Sequence, residues 1–184
     1  MAEDKKKAQK LGATIIFVDE SGFSLVPPLR HTWGRRGQTP TIRHRFSWPK
    51  LSAISGITLD QRLFLRLVRG VINGQQVIKF LRVLLRHIRG PIMVLWDNIA
   101  THRSRQVKQW LARHPRLHVE PLPAYAPDLN ADEGVWQHMK FTVVGNYCPA
   151  TLEELETQIR KGARKMRKDP QLLKSFITRT ALPL

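Results

Sequence analysis

Hydrophobic patterning changes character along the chain, and each change marks an element. Thr14-Ile15-Ile16-Phe17-Val18 and Pro91-Ile92-Met93-Val94-Leu95-Trp96 are short, continuous apolar runs that predict strands buried on both faces. Each run closes on an aspartate, Asp19 and Asp97, and Glu20-Ser21-Gly22 after the first reads as a turn. Alternating positions in Leu51 to Thr58 and Arg62 to Arg69, with Leu59-Asp60-Gln61 between them, predict a hairpin. In it Leu63, Leu65 and Leu67 share one face, opposite Arg62 and Arg66. Helical spacing begins after Asn73, an expected cap, and runs through Val77, Phe80, Leu81, Leu84, Leu85 and Ile88. A second helix is expected over Ser104 to Arg113 on Val107, Trp110 and Leu111, and a short strand over Leu117 to Pro121. A third helix opens at Asn130 and buries Val135, Trp136 and Met139, leaving His138 and Lys140 outward. Thr151-Leu152-Glu153-Glu154 is a capping box for a fourth, with Leu152, Leu155, Ile159 and Met166 inward. A last helix surrounds Leu172 to Ile177. Strands interleaved with helices imply an α/β fold, a mixed sheet with helices on both faces.

Composition changes the picture mainly through charge. The 184 residues carry 31 Lys plus Arg against 14 Asp plus Glu, a net charge of +17. Such an excess says little about fold and points to a polyanionic partner, nucleic acid before membrane. No apolar run approaches the roughly 20 residues needed to span a bilayer. Residues 1–13 read as a charged, flexible tail ahead of a single domain over 14–184. The loop from Ser21 to Thr41 is rich in turn formers and carries Arg30, Arg35 and Arg36. The lone Cys148 excludes an internal disulfide, reads as a small buried residue, and suits a reducing, cytoplasmic setting.

Because acidic residues are scarce, their positions are informative. Glu3, Asp4, Asp60, Glu153, Glu154, Glu156 and Asp169 fall in the tail, a turn or the last long helix. Asp19, Glu20, Asp97, Glu120, Asp128, Asp132 and Glu133 remain. Neighbouring strand residues face opposite ways, so Asp19 and Glu20 do not both join Asp97 if the strand continues through them. Two strand-end aspartates on adjacent strands repel unless a cation lies between them, and oxygen-only donors suit Mg²⁺. Glu133 is the candidate third carboxylate, with Asp128 and Asp132 as alternatives. Its rival role is to close a capping box on the Asn130 backbone. His102 reads as a surface or capping residue, and with His31, His44 and His118 isolated, a histidine metal site is not expected. There is no G-x-x-x-x-G-K-[ST] loop for a nucleotide.

Val18-Asp19-Glu20-Ser21-Gly22, Thr32-Trp33-Gly34 with Gly37-Gln38-Thr39-Pro40, Leu95-Trp96-Asp97-Asn98 with His102, and Tyr125-Ala126-Pro127-Asp128-Leu129-Asn130 followed by Glu133 and Val135-Trp136 together resemble the catalytic domain of DDE transposases. The branch they resemble is the bacterial insertion-sequence group of the mariner superfamily. The 35 residues between Asp97 and Glu133 fit that branch. The resemblance implies a ribonuclease-H-like fold in which Asp19, Asp97 and Glu133 hold two Mg²⁺ or Mn²⁺ ions. Asp19 would bridge both, with Asp97 and Glu133 each serving mainly one. Implied with it are nicking of double-stranded DNA at transposon ends and attack of the freed 3′-hydroxyl on target DNA, the partner being handled by a homodimer near the nucleoid.

Two departures accompany the resemblance. Ala131-Asp132 stands where the family commonly has Pro-Ile, so the added carboxylate is expected either to alter the metal geometry or to face water. Family members usually carry helix-turn-helix domains upstream, and this chain is expected to lack that sequence-specific recognition. Arg35, Arg36 and Lys140 are the expected contacts to the DNA backbone. The alternative reading is an inactive or truncated copy that binds DNA by charge alone.

Overall fold

The computed structural model describes residues 2–43, 50–123 and 126–180. His44 and Tyr125, both named above, lie outside them. A sheet of five strands forms the middle layer, in the order β3-β2-β1-β4-β5. The strands are β1 (Thr14–Ser24), β2 (Lys50–Thr58), β3 (Leu63–Arg69), β4 (Ile92–Trp96) and β5 (Leu117–Pro121). β2 is antiparallel to both β1 and β3, as the hairpin reading requires. β1, β4 and β5 run parallel. Glu20-Ser21-Gly22 is not the expected turn: β1 continues to Ser24, because its residues 16–24 pair with β2 along its whole length.

Two cores lie on opposite faces of the sheet, and the alternation of β1 divides its residues between them. Ile16 and Val18 join Val94 and Trp96 beneath α2 (Gly74–His87) and α3 (Arg105–Leu111). Asn73 caps α2 as expected, its side chain accepting from the Gln76 amide at 3.1 Å. Phe17 and Phe23 join Met93 and Leu95 beneath α4 (Asp132–His138), α5 (Leu152–Arg167) and α6 (Pro170–Thr178). Thr151 accepts from the Glu154 amide at 3.2 Å, and Asp169 accepts from the Leu172 amide at 2.9 Å, which closes the first turns of α5 and α6. A 3₁₀ turn, Pro127–Leu129, leads into α4, and a π turn, Met139–Val143, follows it.

Two further expectations need correction. The tail contains a helix, α1 (Ala2–Leu11), whose Ala8 is 2% exposed and whose Lys7 bonds Glu120 at the sheet edge. Charge alone misled here: an amphipathic helix needs few apolar residues when one small side chain suffices for contact. Cys148 is exposed rather than buried, since it lies in the open connection ahead of α5.

Helix α4 sits close against α6. A Cβ built on Gly134 would come within 2.9 Å of the Phe176 side chain, so only glycine allows this approach. Gly134→Ala is therefore expected to destabilise the fold by about 1–3 kcal/mol, the usual cost of overpacking, even though alanine is the better helix former. Urea unfolding of the two proteins measures it, and an unchanged midpoint would contradict the tight packing.

Candidate active site

The carboxyl ends of the parallel strands bring the two aspartates into step. Phe17 pairs with Leu95 across β1 and β4, so two residues further on Asp19 and Asp97 occupy matching positions. Asp19 keeps its backbone in the sheet opposite Ser55 of β2, whereas Asp97 follows the last residue of β4. Glu133 lies in the first turn of α4, which packs over the same face. Asp19, Asp97 and Glu133 together line a cleft of about 470 Å³, with Asn98, Asn130 and apolar residues of the 122–127 segment around them.

Glu133 is not used as a cap. The Asn130 amide donates to the Pro127 carbonyl at 2.8 Å, and the Asn130 side chain accepts from the Asp132 amide at 3.1 Å. The start of α4 is thus held by Asn130, and the Glu133 side chain lines the cleft instead. The signal separating the two roles lies in the Pro127 turn, whose geometry a spacing rule does not contain.

Asp19 is held by Trp136, whose indole N–H donates to Asp19 Oδ2 at 3.1 Å. Burial pushes its pKa from 3.8 up to about 7; the backbone at Glu20 opposes this, and the charges of Glu133, Glu20 and Asp97 add to the rise.

Asp132, at the first departure from the family pattern, does not take the water-facing place that is one of its two expected roles. It is 0% exposed, so it does not face water, and Ser55 Oγ donates to its Oδ2. Burial, partly offset by that hydroxyl, raises its pKa well above the carboxylate range, with Asp19 and Glu133 adding to the effect. It lies behind the cleft rather than in its lining. Asp128, the other alternative, is exposed on the 3₁₀ turn, and Glu120 is bonded to Lys7.

On the opposite face of β1, Glu20 meets a residue the sequence reading set aside. His102 is 4% exposed and stacks on Trp96, with ring centroids 4.0 Å apart and planes within 6°. Its Nδ1 lies 2.9 Å from the Asp97 carbonyl oxygen and 2.9 Å from Asp97 Oδ1. The carbonyl takes the hydrogen bond, and Oδ1, which has no hydrogen-bond partner among the described residues, interacts by charge. Its Nε2 lies 2.8 Å from Glu20 Oε1. Burial alone would lower the imidazolium pKa, but the contacts with Asp97 and Glu20 outweigh it and hold His102 at about 10. A ring donating from both nitrogens is a cation already, and it neutralises part of the local charge. Glu20, Asp97 and His102 do present ligand atoms within 4.8 Å of one another. The carboxylates meet opposite ring nitrogens, however, an arrangement that fits two hydrogen bonds rather than one ion. Its traces in the sequence were the five-residue separation from Asp97 and the place of His102 in the motif that carries the family resemblance.

The expected DNA-contacting residues lie elsewhere. Arg35 and Arg36 are exposed in the loop after β1, and Lys140 is half-buried in the π turn. The loop is rooted on that turn and on the segment after it: the Arg30 guanidinium donates to the Phe141 carbonyl at 2.8 Å, and the Arg30 amide donates to the Asn146 side chain at 2.8 Å. A second cleft, between α2 and α3, carries Lys79, Arg82 and Arg113 and no carboxylate, so it offers no seat for a cation.

Residues 14–156 match the family described as DDE superfamily endonuclease. Among curated proteins, the chain is 25% identical over 159 residues to the insertion element IS630 uncharacterized 39 kDa protein of Shigella sonnei, covering 79% of this chain and 43% of that protein. Among solved structures, it is similar to the Mos1 mariner paired end complex with Mn, at 19% identity and a TM-score of 0.66, covering all of this chain and 61% of that one. It is similar also to the catalytic domain of Mos1 mariner transposase, at 17% identity and a TM-score of 0.61, covering 95% and 86%. These likenesses establish the ribonuclease-H-like fold of mariner transposase catalytic domains. The chain spans less than half the length of the curated relative. The family match takes in every strand of the sheet together with Asp19, Asp97 and Glu133, and this chain belongs to the DDE superfamily of endonucleases.

Proposed function

We propose that this chain is the catalytic domain of a transposase, cutting DNA at transposon ends and joining the 3′-hydroxyl to target DNA, with Asp19, Asp97 and Glu133 as ligands of two Mg²⁺ or Mn²⁺ ions. The observation that carries the proposal is the convergence of these three side chains on one cleft from β1, the end of β4 and α4. The donor set fits such ions: it is oxygen-only, and burial with like charge opposes ionisation of Asp19. The structures similar to this chain include Mos1 complexes with Mn and with Mg, which supports the same choice of metal.

When bound, divalent cations supply activation of the attacking hydroxyl and neutralisation of charge at the phosphodiester. The chain's own residues prepare for this. Trp136 fixes the Asp19 carboxylate by its N–H, leaving the second oxygen directed elsewhere. Ile99, Leu122 and Pro127 give the cleft an apolar wall. Arg35, Arg36 and Lys140 would hold the DNA backbone, and two copies of the chain would bring two ends together.

The test is cleavage of end-containing DNA by a protein that includes this domain. Asp97→Asn is expected to lower Mn²⁺-dependent cleavage by at least a hundredfold while DNA binding persists. Undiminished cleavage would remove Asp97 from the site, and binding without turnover in the wild-type chain would leave only a DNA-adhering scaffold.

The backbone contacts have a salt signature. Arg35→Ala with Arg36→Ala is expected to lower the slope of log affinity against log salt by about 1.8, roughly 0.9 for each lost phosphate contact. Fluorescence anisotropy across a salt series reads it, and an unchanged slope would place the phosphates elsewhere.

Metal-free stability depends on pH in a direction fixed by Asp19. Its pKa rises from 3.8 to about 7 on folding, so between those values the native chain holds the extra proton and stability falls as pH rises. His102, raised from 6.5 to about 10, adds a further fall between those values. In chelator, the urea midpoint is expected to be higher at pH 5 than at pH 7, and Asp19→Asn is expected to reduce that difference. An identical slope in the variant would dismiss the charge crowding.

A further inference from the structure

Asp97 has a weakness as a ligand: it follows the last residue of β4, its side chain is 44% exposed, and no ladder bond fixes it beyond the strand. The adjoining residues supply what the sheet does not. His102 returns five residues later and lies against both the carbonyl and the carboxylate of Asp97. The ring is itself immobilised, clamped flat on Trp96, which is 4% exposed, and bonded at its far nitrogen to Glu20 of the neighbouring strand. Glu20 is anchored in turn, since β1 continues through it and pairs it with Ile54.

We propose that His102 is a positioning residue that sets the direction of the Asp97 carboxylate, and that Glu20 acts through it as the anchor on β1. The inference rests on Asp97 being a metal ligand, as proposed above. It assigns a purpose to the alternation noted along β1: Asp19 enters the cleft from one face, and Glu20, from the other face, holds the partner aspartate. The chain Glu20–His102–Asp97 thereby ties the end of β4 to the adjacent β1 at a set spacing. Partners of metal ligands in this arrangement commonly change affinity by about 10–100-fold when removed.

The test is Mn²⁺ titration of the DNA-free protein followed by electron paramagnetic resonance, with thermal unfolding recorded for every variant. Asp97→Asn is the control for the metal site and is expected to lose binding. His102→Phe keeps a ring on Trp96 and removes both nitrogens; it is expected to weaken Mn²⁺ binding about tenfold. Glu20→Ala leaves the stack and the Asp97 contact in place and is expected to weaken it about threefold. Glu20→Gln keeps an acceptor for Nε2 and is expected to stay within about twofold of wild type. The double variant Glu20→Ala with His102→Phe is expected to bind no more weakly than His102→Phe alone, since both act along one path. Wild-type affinity in His102→Phe and Glu20→Ala, with binding lost in Asp97→Asn, would overturn the positioning role and leave the metal site standing. Wild-type affinity in Asp97→Asn would overturn the metal site itself. If His102→Phe fails to fold, Glu20→Ala against Glu20→Gln decides: equal affinities refute the anchor. Additive losses in the double variant would refute action of Glu20 through the ring.

Discussion

Negative charge is crowded into one edge of an otherwise basic molecule, and the surrounding structure is arranged around that conflict. The charges of Glu133, Glu20 and Asp97 act on Asp19 there, and those of Asp19, Glu133 and Glu20 act on Asp132, in a chain with only 14 acidic residues. Two unit charges 4 Å apart cost about 1 kcal/mol in water and about 4 kcal/mol at an effective dielectric constant of 20. A handful of such pairs is comparable with the whole stability of a domain. The fold meets the conflict with an indole N–H on Asp19, a hydroxyl on Asp132 and a cationic ring between Glu20 and Asp97. What these do not cancel is what a cation would.

The sheet determines who meets whom. β1 is central, parallel to β4 on one side and antiparallel to β2 on the other. The parallel pairing sets Asp19 beside Asp97, and the antiparallel pairing sets Ser55 beside Asp19, where it reaches Asp132. The α4 layer then adds Glu133 and Trp136 from above. Because Gly134 lets α4 approach α6 closely, helix packing helps to set the height of Glu133 over the sheet.

Much of this was legible in the sequence because burial writes itself as period. The runs 14–18 and 91–96 announced central strands, and the leucines at 63, 65 and 67 announced the inner face of an edge strand. Eliminating the ordinary carboxylates left seven candidates, and the family resemblance singled out Asp19, Asp97 and Glu133 among them. What was not legible depends on side chains that cross between elements. The extension of β1 past Asp19 arises from pairing with a distant strand, which outweighs the local preference of Ser21-Gly22 for a turn. His102 is set 82 residues from Glu20 by the sheet, and no local rule links them. Asp132 was read either as a carboxylate altering the metal geometry or as one facing water; the Ser55 hydroxyl that makes its burial tolerable lies 77 residues away. The docking of α1 escaped notice for the same reason, since its partner is Glu120.

The cleft is drawn from residues 19, 97 and 133, and the helices that press the last of these into place extend to residue 178. A chain emerging from the ribosome therefore carries its first aspartate long before it has anything to oppose it. Until the final helices are free to dock, a growing polypeptide contains the ingredients of the cleft at separate addresses and has no means of assembling them. Timing is thus written into the order of the elements: the cleft is complete only once the helices through residue 178 have been made.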